Sequence, residues 1–125
     1  MRMRRFDDLT IYVSDLERSR RFYHEVFDMP IIEEQSDANH VTIRCGHQLI
    51  RLIAADHDHQ SMVGMASFSI VARDNIDDIS HHFISYEVKM IQPVHQALGA
   101  EGKMQAITIA DPDNNIINVV VYQNK

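Results

Sequence analysis

Seven polar side chains, spread over four apolar segments, have the types and spacing to bind a ligand: Asp8, Thr10 and Tyr12, then Arg51, then Ser67 and Ser69, then Asn118. Where a segment carries more than one, they recur at every second position, so an extended chain presents them on one side. Arg51 could clamp a carboxylate or phosphate through its planar fork, or it could pair with Asp8. Tyr12 could donate its hydroxyl to the same ligand, although a tyrosine in such a run is more often a core residue with a satisfied oxygen. Asn118 lies mid-strand among Ile116, Ile117, Val119, Val120 and Val121; its ordinary reading is a solvent-facing residue on a wet antiparallel sheet. An apolar pocket with a few convergent polar groups is the default form of a binding site. A solvated or interface-buried polar layer is the plainer alternative.

Other reactive residues carry less. Asp56-His-Asp-His59 alternates imidazole and carboxylate, but it falls in a stretch without periodicity, where ligands are expected to lack preorganisation. His81 and His82 are neighbours on a helix and point apart. The single cysteine, Cys45, excludes an internal disulfide and every cysteine-based zinc motif. It sits in an apolar run and reads as a structural thiol.

The elements that must hold these groups repeat. Phe6 to Val13 alternates as a strand, and Ser14-Asp-Leu-Glu17 resembles a capping box. A helix then runs to about Asp28 with Leu16, Ser19, Tyr23 and Val26 as its buried stripe. Strands are expected at Ile31 to Gln35, His40 to Cys45 and Gln48 to Ala54, with Gly46-His47 as a tight hairpin. After a connector at about 55–65 the order restarts: a strand from Ala66 to Ala72, then a helix capped by Asn75 with the stripe Ile76, Ile79, Phe83 and Tyr86. Strands near Lys89 to Val94, Met104 to Ala110 and Ile116 to Gln123 complete it. Pro112 and the Asp and Asn residues of Asp111-Pro-Asp-Asn-Asn115 spell a turn between the last two. The fold expected is α+β: one domain over 1–125, made of two βαβββ repeats (about 5–55 and 66–123) whose cupped, mixed and antiparallel sheets enclose a concave cavity. Neither repeat has enough core to stand alone.

The 125 residues carry a net charge of −6, which disfavours nucleic acid, and no apolar run is long enough to span a membrane. The basic start, Met1-Arg-Met-Arg-Arg5, lacks the uninterrupted apolar region of a signal peptide. A cytoplasmic protein is expected.

Three stretches resemble the vicinal-oxygen-chelate superfamily, which includes glyoxalase I, bleomycin-resistance and fosfomycin-resistance proteins and extradiol dioxygenases. They are the opening Phe6-Asp-Asp-Leu-Thr-Ile-Tyr-Val-Ser-Asp-Leu-Glu-Arg-Ser, the helix segment Arg21-Phe-Tyr-His-Glu-Val-Phe27, and Asp111-Pro-Asp-Asn-Asn-Ile-Ile-Asn118, close to the family's "DPDGNxIE". The resemblance spans essentially the whole chain and is specific for fold rather than reaction. Metal-using members hold a divalent ion with four side chains; those positions fall here on Asp8, on Arg51 or Ile53, on Ser67 and on Asn118. Only Asp8 is an ordinary anionic ligand, and a protonated guanidinium has no lone pair to give. The resemblance therefore implies a family protein without the usual metal site or any cofactor, binding a small molecule, with an anion as one candidate, and forming a homodimer. Two alternatives remain. One is a lactoylglutathione-lyase-like enzyme using Ni, Zn or Mn, with catalytic residues unassigned; the other is a dimerisation module without a ligand.

Overall fold

Residues 1–123 are described by a computed structural model. Its contacts divide the chain into two compact units, Met1–Met65 and a second beginning at Ala66. In the first, β1 (Asp8–Val13), β2 (His40–Cys45) and β3 (Gln48–Ala54) form a sheet in the order β1-β3-β2. β1 runs parallel to β3 and β2 antiparallel to it. In the second, β4 (Ser67–Val71), β5 (Lys89–Gly99), β6 (Gly102–Ala110) and β7 (Ile116–Tyr122) are ordered β4-β7-β6-β5, with only the β4–β7 pair parallel. The α+β class follows, and so does the βαβββ plan, complete in the second unit and with one strand of the first reduced to a single bridge at Ile31.

Alternation decides which face each strand buries. Ile11, Val13, Ile43, Ile50 and Leu52 are all at most 4% exposed, and the helix α1 (Leu16–Arg21) packs over β2 and β3. Its chain continues as a π-helical turn, Phe22–Val26, so the buried stripe runs through Ser19, Tyr23 and Val26 as the spacing predicts. In the second unit Ile107, Ile109, Ile117 and Val119 are buried, and α2 (Ile76–Ser85), buried at Ile76, Ile79 and Phe83, packs on β5 and β6.

Four local expectations change. The α1 cap is Asp15, whose carboxylate accepts from the Arg18 amide at 3.1 Å, while Ser14 Oγ accepts from the Arg18 guanidinium instead. Ile31–Gln35 is not a full strand: Ile31 makes one bridge to Ile43, then Glu33–Gln35 winds into a 3-10 turn. Side chains divert the backbone there. Ser36 Oγ donates to the Ile32 carbonyl and accepts from the Thr42 amide, and Thr42 Oγ1 donates to the Gln35 carbonyl. Tyr86 is half exposed, because α2 ends at Ser85 and the chain turns away through Glu87 at φ 56°. β5 runs five residues further than Val94, past register shifts around Gln92, in a hairpin with β6.

The Asp111–Asn115 loop forms as expected, with Asn114 left-handed at φ 68°. Asp111 Oδ1 accepts from the amides of Asp113 and Asn115, and Oδ2 from the Asn115 side chain. Asn115, fully buried, uses its own Oδ1 to accept from the Ala66 amide at 2.8 Å. At the opposite end of β7, the Tyr122 hydroxyl accepts from the Glu101 amide and lies where a Cβ on Gly99 would stand. A side chain at Gly99 would therefore displace the Tyr122 hydroxyl.

Candidate functional site

The polar residues singled out above occupy one row in each sheet. In the first, Thr10 pairs with Arg51 and Arg51 with Thr42; in the second, Ser69 pairs with Asn118 and Asn118 with Thr108. Thr10 and Ser69 thus hold equivalent places on the leading strand of their unit, as do Arg51 and Asn118 on the strand beside it. Asp8 lies one step along β1 from Thr10 on the same face, and Tyr12 one step the other way. Ser67 bears the same relation to Ser69.

Arg51 is the hub of the first row. Its Nε donates to Asp8 Oδ2 at 2.8 Å, and its Nη1 lies 3.3 Å from Thr42 Oγ1 and 3.4 Å from Gln35 Oε1. Its side chain is 29% exposed and that of Asp8 38%. The pairing of Arg51 with Asp8, open from the sequence, is therefore present, and it engages one edge of the guanidinium. Nη2 has no partner among the described residues, so a second acceptor can approach it.

Asn118 is the hub of the second row. Its Oδ1 accepts from the buried Thr108 hydroxyl at 2.7 Å, and its Nδ2 donates to Ser69 Oγ at 3.3 Å. This leaves the exposed Ser69 hydroxyl hydrogen as the donor at the end of the relay. Asn118 is thus half-buried and bonded on both sides of its amide. Thr42, Gln35 and Thr108 were not singled out from the sequence. The threonines carried a usable signal, a hydroxyl inside an apolar run (Val41-Thr-Ile43 and Ile107-Thr-Ile109); Gln35 carried none, since the turn that presents it is tertiary.

The Asp56-His-Asp-His59 stretch is more ordered than its lack of periodicity suggests. It is a 3-10 turn, His57–Met62, capped by Asp56. His59 Nδ1 lies 2.6 Å from Asp56 Oδ1, and its ring stacks on Tyr12 with centroids 4.5 Å apart and planes within 6°. The His59 hydrogen bond, the largest influence, holds the Asp56 carboxyl below its ordinary value. Cys45 is half-buried, and burial pushes its thiol up, away from a reactive thiolate.

The donor set does not suit a divalent ion of the Ni, Zn or Mn kind, which needs three or four good lone-pair donors. At the family's ligand positions, Asp8 already accepts from Arg51, Arg51 can only donate, the neutral Asn118 carbonyl accepts from Thr108, and Ser67 offers a neutral hydroxyl. Among the described residues no three His, Cys, Asp or Glu side chains come together as a metal cage.

The model of the Glyoxalase/Bleomycin resistance protein/Dioxygenase superfamily matches residues 5–119. The chain belongs to that superfamily. A virulence protein of Salmonella typhimurium is 25% identical over 123 residues, 94% of this chain and 84% of that one; its crystal structure superposes with a TM-score of 0.85 over 98% of this chain and 100% of that chain. An integron cassette protein from the mobile metagenome of Vibrio cholerae, 24% identical, gives a TM-score of 0.87 over 98% of both chains. A lactoylglutathione lyase from Agrobacterium tumefaciens, 22% identical, reaches 0.71 over 94% of this chain and 92% of that one. At these identities the last two likenesses show the glyoxalase fold alone. No helix among the described residues is long and apolar enough to cross a membrane.

Proposed function

We propose that this glyoxalase-superfamily protein binds a small anionic molecule through Arg51 on the polar face of its first sheet, without a divalent metal or other cofactor. One observation carries the reading: a position where metal-using members offer a ligand is held by a guanidinium already bonded to the neighbouring carboxylate of Asp8. With Nε on Asp8 and Nη1 near Thr42 and Gln35, the guanidinium still presents Nη2 to a carboxylate or phosphate. Thr10 and Tyr12 lie on the same face to bond the rest of the ligand, and Ser67, Ser69 and Asn118 form the corresponding set in the second repeat. The net charge of −6 favours a partner other than nucleic acid. A cytoplasmic homodimer is the assembly proposed, on the resemblance to the family.

The test combines two titrations. Calorimetry with nickel, zinc and manganese chlorides should give no stoichiometric heat. A thermal-shift screen of phosphate and small carboxylates should give stabilisation that vanishes in Arg51→Ala. Tight, stoichiometric metal binding abolished by Asp8→Ala would restore the metal-dependent lyase reading. Absence of any Arg51-dependent stabilisation would favour a module without a ligand.

A further inference from the structure

Asp56, His59 and Tyr12 form an arrangement that the anion reading does not use. Asp56 is an acceptor, so the hydrogen on the short contact to His59 belongs to Nδ1, and in the neutral ring the other nitrogen, Nε2, carries the lone pair. Two further contacts fix the imidazole. The His59 amide donates to the same Asp56 oxygen at 3.0 Å, and the Tyr12 ring sets the plane from below. The turn itself is anchored: the Ala55 amide donates to the Val13 carbonyl at the end of β1, and Gln60 Nε2 donates to the Ala55 carbonyl. A histidine on a loose, solvated connector would have none of this.

Tyr12 points to the side of β1 that carries Asp8 and Thr10, and Thr10 is the residue paired with Arg51. Two residues along a strand and one strand across place Tyr12 and Arg51 about 8 Å apart at Cα. The Arg51 guanidinium leans toward Asp8, on the other side of Thr10 from Tyr12, so the longer of the small hydroxy acids suit the span best. We infer that His59, oriented by Asp56 and seated on Tyr12, is a proton-accepting pole of this face, taking the hydroxyl of a small hydroxylated anion whose charge is held by Arg51. The nature of the ligand rests on the anion reading above; the acceptor itself rests on the His59 geometry.

The probes are glycolate, 3-hydroxypropionate and 4-hydroxybutyrate, each against its counterpart without the hydroxyl (acetate, propionate, butyrate). They are titrated into wild type, His59→Ala, Asp56→Asn and Arg51→Ala, with the histidine ring nitrogens followed by NMR. At least one hydroxy acid should bind wild type about fivefold tighter than its counterpart and move the His59 Nε2 resonance. The preference should vanish in His59→Ala and shrink in Asp56→Asn, whereas Arg51→Ala should weaken both members of the pair. Equal binding of both members by wild type, or a preference that survives His59→Ala, overturns the inference and leaves the anion reading standing. If no anion binds in an Arg51-dependent way, the anion reading fails and the pole is judged on the ring alone. It then stands if neutral His59 carries its hydrogen on Nδ1 and reacts with diethylpyrocarbonate ahead of the other histidines, and it falls if the hydrogen sits on Nε2.

Discussion

Replacing Asp8 with Asn keeps the shape of the side chain but removes the charge that Arg51 faces. The pair is a charge-assisted hydrogen bond of 2.8 Å between side chains 29% and 38% exposed. Charge-assisted bonds contribute about 1.5–3 kcal/mol when well sheltered, and exposed ion pairs at most about 1. Solvent screening at this exposure places the coupling near the lower range, at about 1 kcal/mol. For a chain of this length that lowers the melting temperature by about 4 °C. Arg51→Ala should cost more, about 2 kcal/mol, because the contacts to Thr42 and Gln35 and the packing of the stem go as well. In a double-mutant cycle measured by urea unfolding, Asp8→Asn should add almost nothing once Arg51 is gone. The coupling should shrink in 1 M salt, where screening acts within about 3 Å. Anion binding should move the opposite way to stability. Asp8 competes with a ligand for the guanidinium, so Asp8→Asn should tighten the binding of an Arg51-dependent anion by about fivefold or more. Zero coupling together with unchanged or weakened anion binding would refute the reasoning.

Four further outcomes are expected. Asn115→Ala should destabilise by about 2–3 kcal/mol in chemical unfolding, since it strands the Ala66 amide and removes the side-chain bond to Asp111 at a site that is fully buried. Gly99→Ala should cost about 1–3 kcal/mol, because its Cβ would meet the Tyr122 hydroxyl and stand 2.8 Å from Met104 Sδ; the companion Tyr122→Phe should relieve part of that cost. Asp37 and Asp56 both have carboxyls held below their ordinary value of 3.8, Asp37 chiefly by the Asn39 amide and Asp56 chiefly by His59. A depressed carboxyl contributes stability that is full above the unfolded value and is lost as pH falls through the folded one. Acid unfolding of Asp37→Asn and Asp56→Asn should therefore differ from wild type above pH 4 and converge with it in stronger acid. Thr108→Val should leave Asn118 Oδ1 without its donor and free the amide to turn, which Asn118 side-chain resonances would report.

The strands were legible because their buried and open positions alternate: Ile11 and Val13 against Asp8, Thr10 and Tyr12, or Ile117 and Val119 against Asn118. Period two survives whatever the strands pair with. The Asp111–Asn115 turn was legible for a different reason, since Pro112, Asn114 and the Asp111 carboxylate each carry their conformation locally. What could not be read depends on contacts made at a distance. Ile31–Gln35 has the residues of a strand, and Ser36 and Thr42 turn it into a 3-10 bend only once β2 is in place. The order of the Asp56–His59 turn likewise depends on Tyr12, more than forty positions earlier in the chain. At the site, the residue types were visible and so was their common face. Which acceptor Arg51 takes, and which oxygen Asn118 engages, depends on rotamers set by neighbouring strands.

The bond from Asn115 to the Ala66 amide joins groups 49 residues apart, and among the described residues β4 pairs only with β7, the strand that follows that loop. On a ribosome adding about 5–20 residues per second, β4 emerges roughly 2–10 s before the segment that completes it. During that wait Phe68 and Ile70 have no sheet to enter, and the edge of β4 is open to any strand nearby. The polar Ser67 and Ser69, interleaved with them, put hydroxyls along the waiting segment as well as furnishing the finished face.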